Sequence, residues 1–110
     1  MTRGDIVFIN NDVEKVTGSE QGYSRPAIVV SNNACNKYSP VVEVVYTTTS
    51  HKKRRLPTHV YITSTPKLST ALCEAVFSVD KSRIDKTLGH CSKWEMDAVD
   101  HALKISLGLI

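Results

Sequence analysis

A chain of 110 residues is long enough for one core and too short for two, so we read 1–110 as a single domain. No apolar run approaches the roughly 20 residues of a membrane span, and Met1-Thr2-Arg3 leads into a strand rather than a signal peptide, which points to the cytoplasm and away from a membrane partner. A net charge of +3 is too small to establish nucleic-acid binding, and three widely spaced cysteines (Cys35, Cys73, Cys91) suit neither a disulfide framework nor a zinc site, so no metal site is expected.

In chain order, Arg3-Gly4-Asp5 introduces a short apolar strand, Ile6–Ile9. The polar segment Asn10–Ser24 follows, and within it GSEQGYSRP (Gly18–Pro26) sets Ser19, Glu20 and Gln21 between two glycines. Arg25 stands against Pro26 and opens the apolar run Pro26–Val30, so its guanidinium is expected at the mouth of a buried strand, Ala27–Val30. Ser31–Pro40 reads as a second polar loop, followed by the β-branched strand Val41–Tyr46. A third polar stretch, Thr47–Arg55, joins hydroxyls to the run Lys52-Lys53-Arg54-Arg55.

Leu56–Ile62 alternates, with Leu56, Thr58, Val60 and Ile62 on one face. Pro57 cannot donate to a ladder, which makes this an edge strand or a strand start. Cys73–Val79 also alternates, with Cys73, Ala75, Phe77 and Val79 facing one way. Ser92 and Glu95 form a capping box for a helix over Lys93–Leu107. Met96, Val99, Ala102, Leu103 and Leu109 supply its apolar stripe, and Gly108 its stop. Five or more short strands with one amphipathic helix predict a mainly β protein, a small β-barrel closed or flanked by a C-terminal helix.

The three loops hold the chemistry. A fixed, permanently charged fork such as Arg25 beside a polar loop suits phosphate processing. Thr47, Thr48, Thr49 and Ser50 next to four cations read as an anion-binding edge whose occupancy would depend steeply on salt. Tyr23, Tyr38 and Tyr46 lie in or beside the loops and could stack one or two bases of a single strand.

The motifs R-G-D-I (Arg3–Ile6), G-S-E-Q-G-x-x-R-P (Gly18–Pro26), S-N-N-x-x-N-x-x-S-P (Ser31–Pro40), L-P-T-H-V (Leu56–Val60), V-D-K-x-R (Val79–Arg83) and V-D-x-A-L-x-I-S-L-G-L (Val99–Leu109) resemble the MazF/PemK toxins of bacterial toxin–antitoxin systems. The likeness covers nearly the whole chain. It implies a homodimeric SH3-like (CcdB-like) barrel and a metal-independent endoribonuclease that needs no cofactor and cuts single-stranded RNA at short sequences. The RNA's own 2′-hydroxyl would be the nucleophile, leaving a 2′,3′-cyclic phosphate (or 3′-phosphate) and a 5′-hydroxyl, and a cognate antitoxin protein would silence the enzyme by covering the dimer groove.

Carried onto this sequence, the resemblance implies Arg25 and Thr48 as the catalytic residues. It implies Ser19, Glu20, Gln21, Asn32, Thr49, Ser50, Lys52, Lys53 and Glu74 as RNA-binding residues. Arg25 is a poor general base; Glu20, His51 and His59 are the available bases, with His59 favoured as a structural residue of its strand. Where the family pattern reads E-Q-I-R, this chain has Glu74-Ala75-Val76-Phe77, so an amide able to read a base edge is absent and a different cleavage sequence is expected. Trp94, off the centre of the helix stripe, is a candidate contact for a dimer partner or antitoxin. Two other functions stay open: a gyrase-poisoning barrel of the CcdB type, or a non-catalytic RNA-binding barrel. The first is disfavoured because this C-terminus, Ser106-Leu107-Gly108-Leu109-Ile110, has no tryptophan.

Overall fold

A computed structural model describes residues 1–10, 24–50 and 56–110. The elements run β1 (Asp5–Ile9), β2 (Arg25–Val29), α1 (Asn33–Tyr38), β3 (Val41–Thr48), β4 (His59–Ile62), β5 (Ser69–Leu72) and β6 (Phe77–Asp80). A 3-10 turn (Lys81–Arg83), β7 (Ile84–His90) and α2 (Lys93–Ser106) complete them. The described strands pair antiparallel in the order β4-β5-β3-β2-β1-β7, and β6 also pairs with β3.

The eight-residue β3 organises this sheet. One of its edges carries β2; the other carries β6 along its first half and β5 along its second. Five strands thus follow the order β6-β3-β2-β1-β7, and the two end strands are consecutive in sequence. A flat five-stranded sheet would hold its end strands roughly 19 Å apart, whereas the four residue steps from Asp80 to Ile84 reach at most about 14 Å. The sheet must therefore curl. Its joining turn is tied to both sides, through Lys81 N–H on the Pro40 carbonyl and Asn10 N–H on the Arg83 carbonyl. The expected barrel is present in this curled form. It is not fully closed, since no ladder joins β6 to β7 among the described residues.

Strand alternation sends side chains to two clusters. Val7, Ile9, Ala27, Val29, Val42, Val44, Tyr46 and Val79, with Phe77 and Ile84 beside them, pack on the concave face. Ile6, Ile28, Val45, Ile62, Ala71, Cys73 and Cys91 pack on the other, beneath Val99 and Ala102 of α2. Burial raises the Cys73 and Cys91 thiols to about 12, with nearby carboxylates adding to the effect, so both stay protonated core residues.

The capping box of α2 is formed as expected, and Glu95 does more than cap. Its carboxylate accepts from the amides of Ser92, Thr63 and Ser64 and from the Ser64 hydroxyl, fastening the helix start to the segment after β4. Burial alone would raise its pKa, but these donors outweigh it and hold the group at about 2. Gly108, at φ +72°, ends the helix as expected, while Leu109 lies beyond the helix and is exposed.

Four sequence expectations need correction. Ser31–Pro40 contains α1: the Asn32 side chain caps it by accepting from Cys35 N–H, and buried Asn36 hydrogen-bonds Ser31 on both its carbonyl and its hydroxyl. Cys73–Val79 is not one strand, because the chain turns at Cys73-Glu74. Cys73 therefore joins the cluster under α2, while Phe77 and Val79 join the concave one. β4 starts only at His59, after a turn closed by His59 N–H on the Leu56 carbonyl, though it is the edge strand that Pro57 implied. β3 runs on through Thr47 and Thr48, which the sequence assigned to a loop. No described helix is long and apolar enough to cross a membrane.

Candidate active site

Arg25 is the first residue of β2 and stands opposite Ile9 of β1. Across β2 and β3 the register pairs Ala27 with Tyr46. Continued two residues each way, the same register sets Arg25 opposite Thr48, on the face that also carries Tyr46. The two catalytic candidates, 23 positions apart in sequence, thus become cross-strand neighbours at one mouth of the barrel.

Local contacts fix their orientation. Arg25 Nη2 donates to the Thr47 carbonyl at 3.1 Å, and its guanidinium carbon lies 5.9 Å from the centre of the Tyr46 ring. Thr47 is buried, and its hydroxyl donates to the Pro26 carbonyl at 3.3 Å, which ties the two strands together beside Arg25. Thr48 ends β3 half-buried, and its oxygen accepts from Ser50 N–H at 3.1 Å; the hydroxyl proton remains available for donation. Thr49 and Ser50 continue from it, exposed, and Thr70 of β5 lies opposite Thr48.

Other described groups gather at the same end. Ser24 Oγ donates to Asn10 Oδ1 at 3.3 Å, so the chain leaves β1 and enters β2 at adjacent points beside Arg25. Arg83 Nε donates to the Asn10 carbonyl at 3.4 Å. Lys86 of β7, opposite Phe8, places its ammonium 5.8 Å from the Phe8 ring centre, on the sheet face opposite to the one that carries Ile9 and Arg25. The sequence reading gave Arg83 only as the end of a motif and did not name Lys86; their places depend on the β1–β7 register, which no local signal announces.

The remaining candidates fall into two groups. Ser19, Glu20, Gln21, Lys52 and Lys53, with Tyr23 and His51, lie outside the described residues. Asn32 and Glu74 are described and stand apart from the Arg25–Thr48 pair within this protomer. Asn32 caps α1 beyond the opposite end of β2. Glu74 lies in the turn after β5, beyond the end of that strand and against the start of β4, whereas Thr48 is opposite Thr70. Its carboxylate accepts from the Thr58 hydroxyl at 3.1 Å and pairs with His59 Nε2 at 3.0 Å. Burial would raise its pKa, but its own backbone amide, His59 and Thr58 outweigh that and lower it. His59 is thereby tied into the β4–β5 edge, as its structural reading expected. Of the tyrosines proposed for base stacking, Tyr38 is 77% exposed, whereas Tyr46 is only 4% exposed and cannot present a ring face to a nucleobase.

An arginine and a threonine set opposite one another at one end of a curled barrel are an arrangement chemically suited to the oxygens of a phosphodiester. Residues 2–107 match the family of PemK-like, MazF-like toxins of type II toxin–antitoxin systems, and the chain belongs to that family. It is 40% identical over 112 residues to Endoribonuclease EndoA of Bacillus subtilis (strain 168), covering 98% of this chain and 95% of that protein. It is also 40% identical over 113 residues to Endoribonuclease MazF of Staphylococcus saprophyticus, covering 99% and 92%. A mycobacterial endoribonuclease solved in complex with its cognate antitoxin superposes with a TM-score of 0.81 at 26% identity, over 100% of this chain and 97% of that one.

Proposed function

We propose that this chain is an endoribonuclease toxin that cuts single-stranded RNA in the cytoplasm, acts as a homodimer, and is neutralised by a cognate antitoxin. What supports the reading is the β2–β3 register, which continued by two residues sets Arg25 opposite Thr48, with Arg25 Nη2 on the neighbouring Thr47 carbonyl, in a chain of the MazF-like toxin family. The 2′-hydroxyl gives up its proton as its oxygen attacks the adjacent phosphorus, and the bond from phosphorus to the 5′-oxygen breaks as that oxygen takes up a proton. This leaves a 2′,3′-cyclic phosphate, or the 3′-phosphate on its hydrolysis, and a 5′-hydroxyl. Negative charge builds on the phosphoryl oxygens in that step, and a preorganised guanidinium stabilises it more than the ground state. The Thr48 hydroxyl donates to a non-bridging oxygen or holds the 2′-hydroxyl in line. Because the nucleophile belongs to the ribose, DNA is excluded without a dedicated pocket.

The test is an assay on a long single-stranded RNA in EDTA. Wild type is expected to give discrete cuts ending in 5′-hydroxyls, and sequencing those ends reports the cleavage motif. Arg25→Ala is expected to slow cutting about 10²–10³-fold, as loss of one oxyanion donor typically does, and Thr48→Ala is expected to lose cutting as well. No cutting by pure, dimeric wild type across several RNAs would overturn the reading in favour of a binding or poisoning barrel.

A further inference from the structure

The concave face carries a stack of side chains that ends on Arg25. Phe77, first residue of β6, is paired with Val44 of β3, and Tyr46 lies two residues further along the same face of β3. The two rings meet edge to face, with centroids 5.3 Å apart and planes at 65°. On the far side of Tyr46 lies the Arg25 guanidinium, 5.9 Å from its ring centre. Phe77 is half-buried and packs against the concave cluster, of which Tyr46 is a buried member.

We propose that Phe77 and Tyr46 are positioning residues for Arg25, an aromatic seat that sets the angle at which its guanidinium meets the scissile phosphate. This rests on the nuclease reading of Arg25 given above. The Thr47 carbonyl accepts from Nη2. The Tyr46 ring against the planar fork restricts its tilt and adds cation–π attraction. The ring is itself held in place, because Phe77 closes it from the opposite side. The coupling therefore runs from β6 through β3 to β2, and it depends on an aromatic side chain at position 77. Such a seat acts on the transition state, where charge appears on the phosphoryl oxygens, rather than on capture of the RNA chain.

The test compares wild type, Phe77→Leu and Phe77→Tyr in single-turnover cleavage, alongside binding of the same RNA carrying 2′-O-methyl groups, which cannot be cut. Phe77→Leu is expected to lower the cleavage rate about 2- to 30-fold, the span of cation–π strengths from exposed to desolvated sites, with RNA affinity unchanged within about twofold. Phe77→Tyr, which keeps the ring, is expected to restore the wild-type rate. Full activity in folded Phe77→Leu, or a loss that Phe77→Tyr shares or that appears equally in RNA affinity, would overturn the proposal and leave the nuclease reading standing. Should Phe77→Leu not fold, NMR of wild type decides: the Arg25 δ and ε protons are expected to be shifted upfield by the Tyr46 ring, and unshifted resonances would overturn the seat. A wild type that does not cut would defeat the nuclease reading, and this proposal with it.

Discussion

Two arginines, one at each end of β2, show how differently the same side chain is used. Arg3 lies beside the far end of the strand, where its Nε donates to the Val30 carbonyl at 2.8 Å and its Nη2 meets the Asp100 carboxylate of α2 at 2.7 Å. Its charge is matched by a carboxylate and its fork pins a helix to a strand. Arg25, at the other end, meets a backbone carbonyl and an aromatic ring. The first arginine is matched to a carboxylate and ties two elements together; the second, on the nuclease reading proposed above, is oriented toward a phosphate. The neighbours differ too: Asn32, Asn36 and Ser31 spend their side chains on the chain's own backbone, while Thr49 and Ser50 stand exposed at a strand end.

This contrast between an end that holds and an end that works can be sharpened by mutation. The largest stability effect is expected at Glu95, whose carboxylate accepts from five donors. Glu95→Ala leaves those donors unsatisfied and should cost about 2–3 kcal/mol, read by urea unfolding. The pH dependence has a definite sign. The Glu95 pKa is lowered on folding from 4.5 to about 2, so its contribution is complete above 4.5 and fades as pH falls toward 2. Wild type should therefore lose stability across that window more steeply than Glu95→Ala; equal slopes would remove the carboxylate from the account. A smaller effect, about 1 kcal/mol, is expected for Asn32→Ala through loss of the α1 cap, read by the same urea unfolding. Trp94, 85% exposed near the start of α2, should contribute less than about 0.5 kcal/mol to folding. Trp94→Ala is expected to weaken antitoxin binding or dimerisation instead, and calorimetry on both would dispose of that role if neither changed.

Most of the architecture was legible because it rests on local signals. The capping box at Ser92 and Glu95 and the stop at Gly108 set the final helix within a residue or two, and the β-branched runs placed β1 to β3. β7 escaped because Asp85 and Lys86 interrupt its apolar pattern: it is a half-exposed edge strand, where charge is common, and its ladder to β1 shifts register twice. α1 escaped because its six residues give no amphipathic period, only a cap and the buried Asn36. The alternation through Cys73–Val79 misled because only its end is strand: Cys73 lies in the turn after β5 and packs in one cluster, and it falls in step with Phe77 and Val79 of β6 in the sequence alone. For the site, Arg25 could be read from its place before Pro26, and Thr48 only through the family motif. The aromatic seat was out of reach, since the approach of Phe77 to Tyr46 exists only once β6 pairs with β3.

The central claim is that the Arg25 end performs the chemistry and the Arg3 end holds the fold. It is tested most directly by measuring cleavage rate and melting temperature together for Arg25→Ala and Arg3→Ala. Arg25→Ala is expected to lose about 10²–10³ in rate with little change in melting. Arg3→Ala is expected to lose about 1 kcal/mol, a fall of roughly 4 °C or more, while its folded fraction cuts at the wild-type rate. Equal loss of cutting in both variants, or an Arg25→Ala protein that cuts normally, would contradict the account.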